Sequence, residues 1–330
     1  LHQLNRIETG VPQTGADDGQ VFYRVFHSVA SRPYNVANIE LFLAISVLIS
    51  NRPVRANLYL IKTQPGVLFF MTVTYSSYLK VDELLKCQHP LSEGPEHDEL
   101  LFITIHQSYE LWFKQLLHEL DFLIRLFNQG EQNRALHTLK RVDSIYRTLI
   151  QQVDILETLT PLEFMSFRDR LSTASGFQSY QFRELEFLYG AKDAKKLENY
   201  PEGSEHHQRL QKRLESPTLW DAFLGFLAGQ GHDIPDSVLN RDYSKVADPS
   251  KAVQRVLIDI YRNDPLVSEI CEALVDIDTS LQQWRYRHVK MVERTIGSKM
   301  GTGGSSGVGY LQSTLFRPVF PDLWAIRSEF

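Results

Sequence analysis

Two histidines sit where helical periodicity would turn them inward. Phe102, His106, Tyr109, Phe113, Leu116, Leu120 and Leu123 recur at alternating spacings of four and three, which puts them on one stripe of a helix. Leu274, Ile277, Leu281, Trp284, His288 and Met291 repeat that spacing late in the chain, so His288 points the same way as the apolar residues around it. A helical bundle holds cofactors with side chains from facing helices, and a haem needs one neutral imidazole on iron and an apolar slot for the porphyrin. A histidine on an apolar face is equally explained as a core residue that has found a hydrogen bond. The spacing therefore permits a haem without requiring one.

The other candidate groups also carry two readings. No H-E-x-x-H occurs, since His118-Glu119 is followed by Leu-Asp-Phe, and no histidine has Glu three residues before it. Zinc-protease and di-iron bundle patterns are therefore missing, and a haem is the better metal hypothesis. His206-His207, in a charged stretch, reads as solvated loop. Arg168, in Phe164-Met-Ser-Phe-Arg-Asp-Arg170, is either a surface ion pair with Asp169 or a carboxylate clamp. Glu110, one turn after His106, is a helix-face neighbour or part of a relay. Gly301-Thr-Gly-Gly-Ser-Ser-Gly-Val-Gly309 cannot continue a helix, and it lacks both the G-x-x-x-x-G-K-[ST] pattern and a preceding strand. It is a linker, or a loop whose amides and Thr302 hydroxyl close over a polar ligand.

The elements that must position these groups are helices. The period starts at residue 97 and returns over 135–157. Thr160-Pro161 then supplies a cap and a proline at the first helical position. Further helices are expected at 179–189, 207–216, 218–230, 251–262 and 267–296. The stretch 191–206 reads as a surface connection, and strand-like alternation is nearly absent after residue 71. Residues 1–70 differ, with scattered Pro, Gly and Asn and no sustained period, and no methionine precedes Met71. Segment 1–70 is either an extension cut from a longer chain or, the favoured expectation, translated upstream of a start at Met71, ahead of a helical domain 71–330.

Composition narrows the partners. Thirty-five basic against 40 acidic side chains, net −5, argue against nucleic acid. The longest apolar run, 41–49, is about half a bilayer span and too far from the N-terminus for a signal peptide. Cys87 and Cys271 form neither a disulfide framework nor a thiolate cluster spacing, which suits a reducing cytoplasm.

Seven motifs in order carry a resemblance. They are Tyr75-Ser-Ser-Tyr78-Leu-Lys-Val-Asp-Glu-Leu-Leu85, His97-Asp-Glu-Leu-Leu-Phe102-Ile-Thr-Ile-His106-Gln107, Glu110-Leu-Trp-Phe-Lys114, Leu156-Glu-Thr-Leu-Thr-Pro161, Ala174-Ser-Gly-Phe-Gln-Ser179, Trp284-Arg-Tyr-Arg-His288 and Gly301-Thr-Gly-Gly-Ser-Ser-Gly307. Through these, the chain from about residue 74 onward resembles the tryptophan 2,3-dioxygenases. The first 70 residues have no counterpart in that family's core.

The resemblance implies an all-α helical bundle with one haem b per subunit, ferrous when active, bound between long core helices. It implies a cytoplasmic homotetramer that uses O2 to cleave the indole C2–C3 bond of L-tryptophan, giving N-formylkynurenine, the first step of the kynurenine pathway. His288 becomes the proximal iron ligand, with a partner expected on its other ring nitrogen. His106 becomes the distal residue that bonds the indole N–H. Phe102 and Phe164 line the indole pocket, Arg168 holds the substrate carboxylate and Thr302 meets the amino-acid end. Tyr75, Tyr78 and Leu79 come from a neighbouring subunit through exchanged N-terminal segments. Two alternatives compete: a haem-binding sensor that has lost turnover, and a purely structural bundle.

Overall fold

The computed structural model describes residues 73–94, 96–301 and 307–330 with their side chains, and 59–62 and 68–71 by backbone alone. The chain divides into two compact units, Leu1–Leu79 and Lys80–Phe330. In the first, β1 (Tyr59–Lys62) and β2 (Leu68–Met71) pair antiparallel, with Tyr59 opposite Met71, where the sequence suggested no element. The helix α1 (Tyr75–Leu79) follows, started by a Thr74–Ser77 pair in which each residue's backbone N–H reaches the other's hydroxyl.

The second unit is helical throughout its described residues. After the single turn α2 (Val81–Leu84) come α3 (His97–Asn128), α4 (Gln132–Leu156), α5 (Pro161–Arg168), α6 (Tyr180–Leu188), α7 (Glu205–Glu215), α8 (Leu219–Gly229), α9 (Asp236–Leu239), α10 (Lys251–Asn263), α11 (Pro265–Ile296), α12 (Val308–Gln312) and α13 (Pro321–Ala325). The bundle centres on α3, α4 and α11. Their stripes interlock: Leu116, Leu120 and Leu123 of α3, Leu139, Val142 and Leu149 of α4, and Leu274 and Ile277 of α11 are all fully buried. Burying a side chain of this kind is worth about 1.5–3 kcal/mol, so the apolar seam fixes the order of the long helices.

Capping sets where helices begin. Thr160 accepts from the Glu163 backbone while the Glu163 carboxylate accepts from the Thr160 N–H, a reciprocal box with Pro161 at the first helical position. Asp264 caps α11 by accepting from Val267 N–H at 3.0 Å, ahead of Pro265. The buried Asp278 carboxylate accepts from the Val319 and Phe320 backbones, Trp324 Nε1 and Gln282 Nε2, tying the C-terminal segment to the middle of α11. No helix among the described residues is long and apolar enough to cross a membrane.

Two expectations are corrected. His206 and His207 belong to the first turn of α7, not to a loop, and the His206 ring stacks on Tyr180 at 4.1 Å and 13°. The Ser204 hydroxyl starts that helix by accepting from His207 N–H, a cap that the surrounding charge hides in the sequence. The glycine-rich loop is also shorter at its end, because Val308 and Gly309 already lie in α12 and Val308 is buried.

Candidate functional site

The α3 stripe changes character along its length. From Phe113 to Leu123 its residues are closed core, but Tyr109 and Phe102 are half-buried and the His106 side chain keeps accessible surface. His106 is exposed by surface, yet the protein around its ring desolvates it enough to lower its pKa, against the opposing pull of the Phe102 carbonyl and the Glu110 charge. A ring that is both desolvated and accessible lines a cleft.

His288 on α11 has the same duality: half-buried by surface, yet so deep that burial drives its pKa down to about 4, with the nearby His106 ring pushing the same way. His288 is therefore neutral at pH 7, and His106 lies near enough across α3 and α11 to oppose its protonation. No carboxylate is close enough to restore a charge on His288. The hydrogen-bonded partner expected on its second ring nitrogen is not present among the described residues. Trp284, one turn earlier, instead lies parallel to the His288 ring, 5.4 Å away at 4°.

His106 has a fixed tautomer. Its Nδ1 is 2.7 Å from the Phe102 carbonyl, which can only accept, so Nδ1 carries the proton and Nε2 is left as an acceptor. Aromatic rings form the wall beside it. Phe102 lies 4.0 Å from the His106 ring, 5.7 Å from Phe164 and 5.5 Å from Phe167, and the last two meet edge to face at 5.5 Å. Phe164 and Phe167 are buried on α5, whose start is set by the Thr160 box.

Arg168 ends α5. Its Nη2 donates to the Met300 carbonyl at 2.6 Å, while its Nε is buried with no partner. Among the described residues it makes no ion pair with Asp169, so that reading fails. A buried guanidinium N–H without an acceptor is a rare and costly arrangement, and it offers a donor to an anion. Glu110 is turned to a different task, accepting from Gln181 Nε2 through both its carboxylate and its backbone carbonyl, at 2.8 and 2.9 Å, and so joining α3 to α6.

The structure thus gathers Phe102, His106, Phe164, Arg168 and His288 around the meeting of α3, α5 and α11. Thr302 lies outside the described residues; the loop stems show Gly297 at φ +59° ending α11 and Gly307 at φ +59° before α12. Tyr75, Tyr78 and Leu79 belong to the other unit, and Tyr75 and Tyr78 are 77% and 76% exposed. Sequence reasoning missed Phe167, the Met300 carbonyl and the role of Trp284. Trp284 shares the His288 stripe and could have been found one turn away, whereas nothing in the sequence joins Met300 to Arg168. Among the described residues no cluster of three or more His, Cys, Asp or Glu converges as a metal site. The donor set of this cleft is instead two neutral imidazoles and an apolar wall, which fits a planar iron porphyrin better than a bare ion.

Comparison with known proteins agrees with this chemistry. The family model described as "Tryptophan 2,3-dioxygenase" matches residues 62–221 and 202–330. A tryptophan 2,3-dioxygenase of Herpetosiphon aurantiacus is 54% identical over 257 residues, covering 78% of this chain and 98% of the relative. That of Caulobacter vibrioides is 46% identical over 261 residues, with 78% and 98% covered. That of Bacillus thuringiensis is 44% identical over 264 residues, with 79% and 94% covered.

Proposed function

The chain belongs to the tryptophan 2,3-dioxygenase family, and from that premise we propose how its cleft is divided between cofactor and substrate. The protein is a dioxygenase that cleaves the indole C2–C3 bond of L-tryptophan with O2 to give N-formylkynurenine. We assign it a haem b held by His288, whose neutral, half-buried imidazole has a lone pair for iron. When bound, that haem in its ferrous state supplies the site at which O2 is activated.

The protein's own residues do the rest. His106 Nε2, made an acceptor by the Nδ1–H bond to Phe102, takes the indole N–H and fixes which ring edge faces the oxygen. Phe102 and Phe164 hold the indole plane and keep water out. Arg168 takes the substrate carboxylate on the N–H that has no acceptor among the described residues. A tryptophan analogue without the carboxylate leaves that donor buried and unpaired, so tryptamine binds poorly. Thr302 meets the polar end of the amino acid from its glycine loop. Tyr75, Tyr78 and Leu79, exposed on their own chain, complete the pocket of a neighbouring subunit in a homotetramer. Cys87 and Cys271 are both unpaired, which suits the cytoplasm.

The observation that carries this reading is His106, its Nδ1 fixed on the Phe102 carbonyl beside the Phe102–Phe164 wall, with the neutral His288 close by on α11. The purified protein, loaded with haem and reduced, is expected to consume L-tryptophan and to place both atoms of labelled O2 in N-formylkynurenine. Haem binding without product would favour a sensor. No Soret band would leave a structural bundle.

A further inference from the structure

Imidazole ligands are normally oriented by a hydrogen bond from their second ring nitrogen to a carbonyl or carboxylate, which fixes ring rotation and raises basicity. No such bond to His288 is found among the described residues. What touches the ring is Trp284, parallel to it at 5.4 Å and 4°. Adjacent turns of a helix place residues four apart over one another, so α11 itself supplies the stacking geometry.

The indole has little freedom of its own. Phe182 of α6 lies 5.3 Å away, Phe113 of α3 meets it edge-on at 6.3 Å and 90°, and Tyr109 sits at 6.2 Å. Tyr109 is in turn held by donating its hydroxyl to the Leu149 carbonyl of α4 at 2.7 Å. Trp284 Nε1 is buried without a partner, with the Tyr109 hydroxyl nearby but outside hydrogen-bond geometry. The ring is therefore located by packing from α3 and α6 rather than by its N–H.

Resting on the assignment of His288 as iron ligand, we infer that Trp284 is the positioning residue for that ligand: its indole, clamped by Tyr109, Phe113 and Phe182, fixes the rotation of the His288 ring by stacking. Two consequences follow. The ligand is oriented without being drawn toward imidazolate by any acceptor among the described residues. Ring rotation at the iron also depends on aromatic contacts from α3 and α6, the first of which carries the substrate-facing His106.

The test compares Trp284→Phe, which keeps a stacked ring, with Trp284→Met, which fills similar space without one, and with Phe182→Leu, which loosens the clamp but does not touch His288. Readouts are haem affinity by titration, the iron–imidazole stretching band of the ferrous protein, and the His288 ring-proton shifts of the haem-free protein. Trp284→Met should broaden and shift the band, weaken haem binding about two- to tenfold, and remove the ring-current shift of the His288 protons. Trp284→Phe should largely restore all three, and Phe182→Leu, which removes the α6 contact on the indole, should shift the band in the same direction as Trp284→Met but by less. If Trp284→Met leaves band and proton shifts unchanged, the inference is wrong. Should that variant fail to fold, a Trp284→Phe protein whose His288 protons show no ring-current shift overturns it equally. His288→Ala separates the two readings: a full haem complement in that variant would remove the ligand assignment itself, whatever Trp284 does.

Discussion

At the scale of single residues, the site is a set of polar groups left incomplete by the protein. Arg168 spends Nη2 on Met300 and leaves Nε without an acceptor, while His106 spends Nδ1 on Phe102 and keeps Nε2. A buried donor with no acceptor costs about 1–3 kcal/mol, which binding of an anion would recover. Arg168→Ala should therefore cost about 2–5 kcal/mol in transition-state binding, roughly thirty-fold to several-thousand-fold in kcat/KM. Steady-state kinetics with L-tryptophan decide it, and an unchanged kcat/KM would exclude Arg168 from carboxylate binding. The inward histidines were legible in the sequence because each shares a stripe with apolar residues. The partner of Arg168 was not: the Met300 carbonyl is brought to it by tertiary packing, which spacing does not encode.

At the scale of elements, periodicity and capping located the helices well. The stripe containing Phe113 and Leu120 became the closed half of α3, and Thr160-Pro161 began α5 as the cap pattern implies. Polar helices were harder, since α7 buries only Leu210 and Leu214 and shows charge on its remaining faces. Its start was consequently placed at residue 207, two residues late. Most of the glycine run lies outside the described residues, but its end was misplaced because Val308 packs inward and carries Gly309 into α12. Gly307 makes a testable claim at this scale. Its φ is +59°, and a Cβ there would lie 2.8 Å from the Lys299 carbonyl, so no side chain fits without moving the stem. Gly307→Ala should cost on the order of 1–3 kcal/mol. It should also raise KM for L-tryptophan while haem content stays full. Normal melting and an unchanged KM would show that the loop stem tolerates the distortion.

At the scale of the whole molecule, two predictions concern the first unit. If residues 1–70 are dispensable, a chain beginning at Met71 keeps haem, assembly and activity, whereas one beginning at Lys80 loses activity while retaining haem. Loss of haem and assembly from the Met71 chain would make the upstream segment integral. If Tyr78 acts across a subunit boundary, Arg168→Ala and Tyr78→Ala chains, each inactive alone, should complement when co-assembled. Random mixing makes about a quarter of the sites complete, because each needs Arg168 from one chain and Tyr78 from its neighbour. No recovery in mixed oligomers would place Tyr78 in its own subunit's pocket or outside the site. The fold of Lys80–Phe330 could be anticipated from sequence because its contacts are between long periodic helices. The assembly could not, since exposed side chains such as Tyr75 and Tyr78 look alike whether they meet solvent or a partner.

The central claim is the division of labour between His288 and His106, two imidazoles that share the same apolar spacing and face the same cleft. It is tested most directly by titrating haem into His288→Ala and His106→Ala side by side and following the Soret band. Loss of the only iron–protein bond should leave His288→Ala with little haem, partly recovered by added imidazole. His106→Ala should take up haem fully, with turnover reduced by the loss of one orienting hydrogen bond, about 0.5–1.5 kcal/mol or somewhat more in a dry pocket. A full Soret band in His288→Ala together with an empty His106→Ala would contradict the account and exchange the two roles.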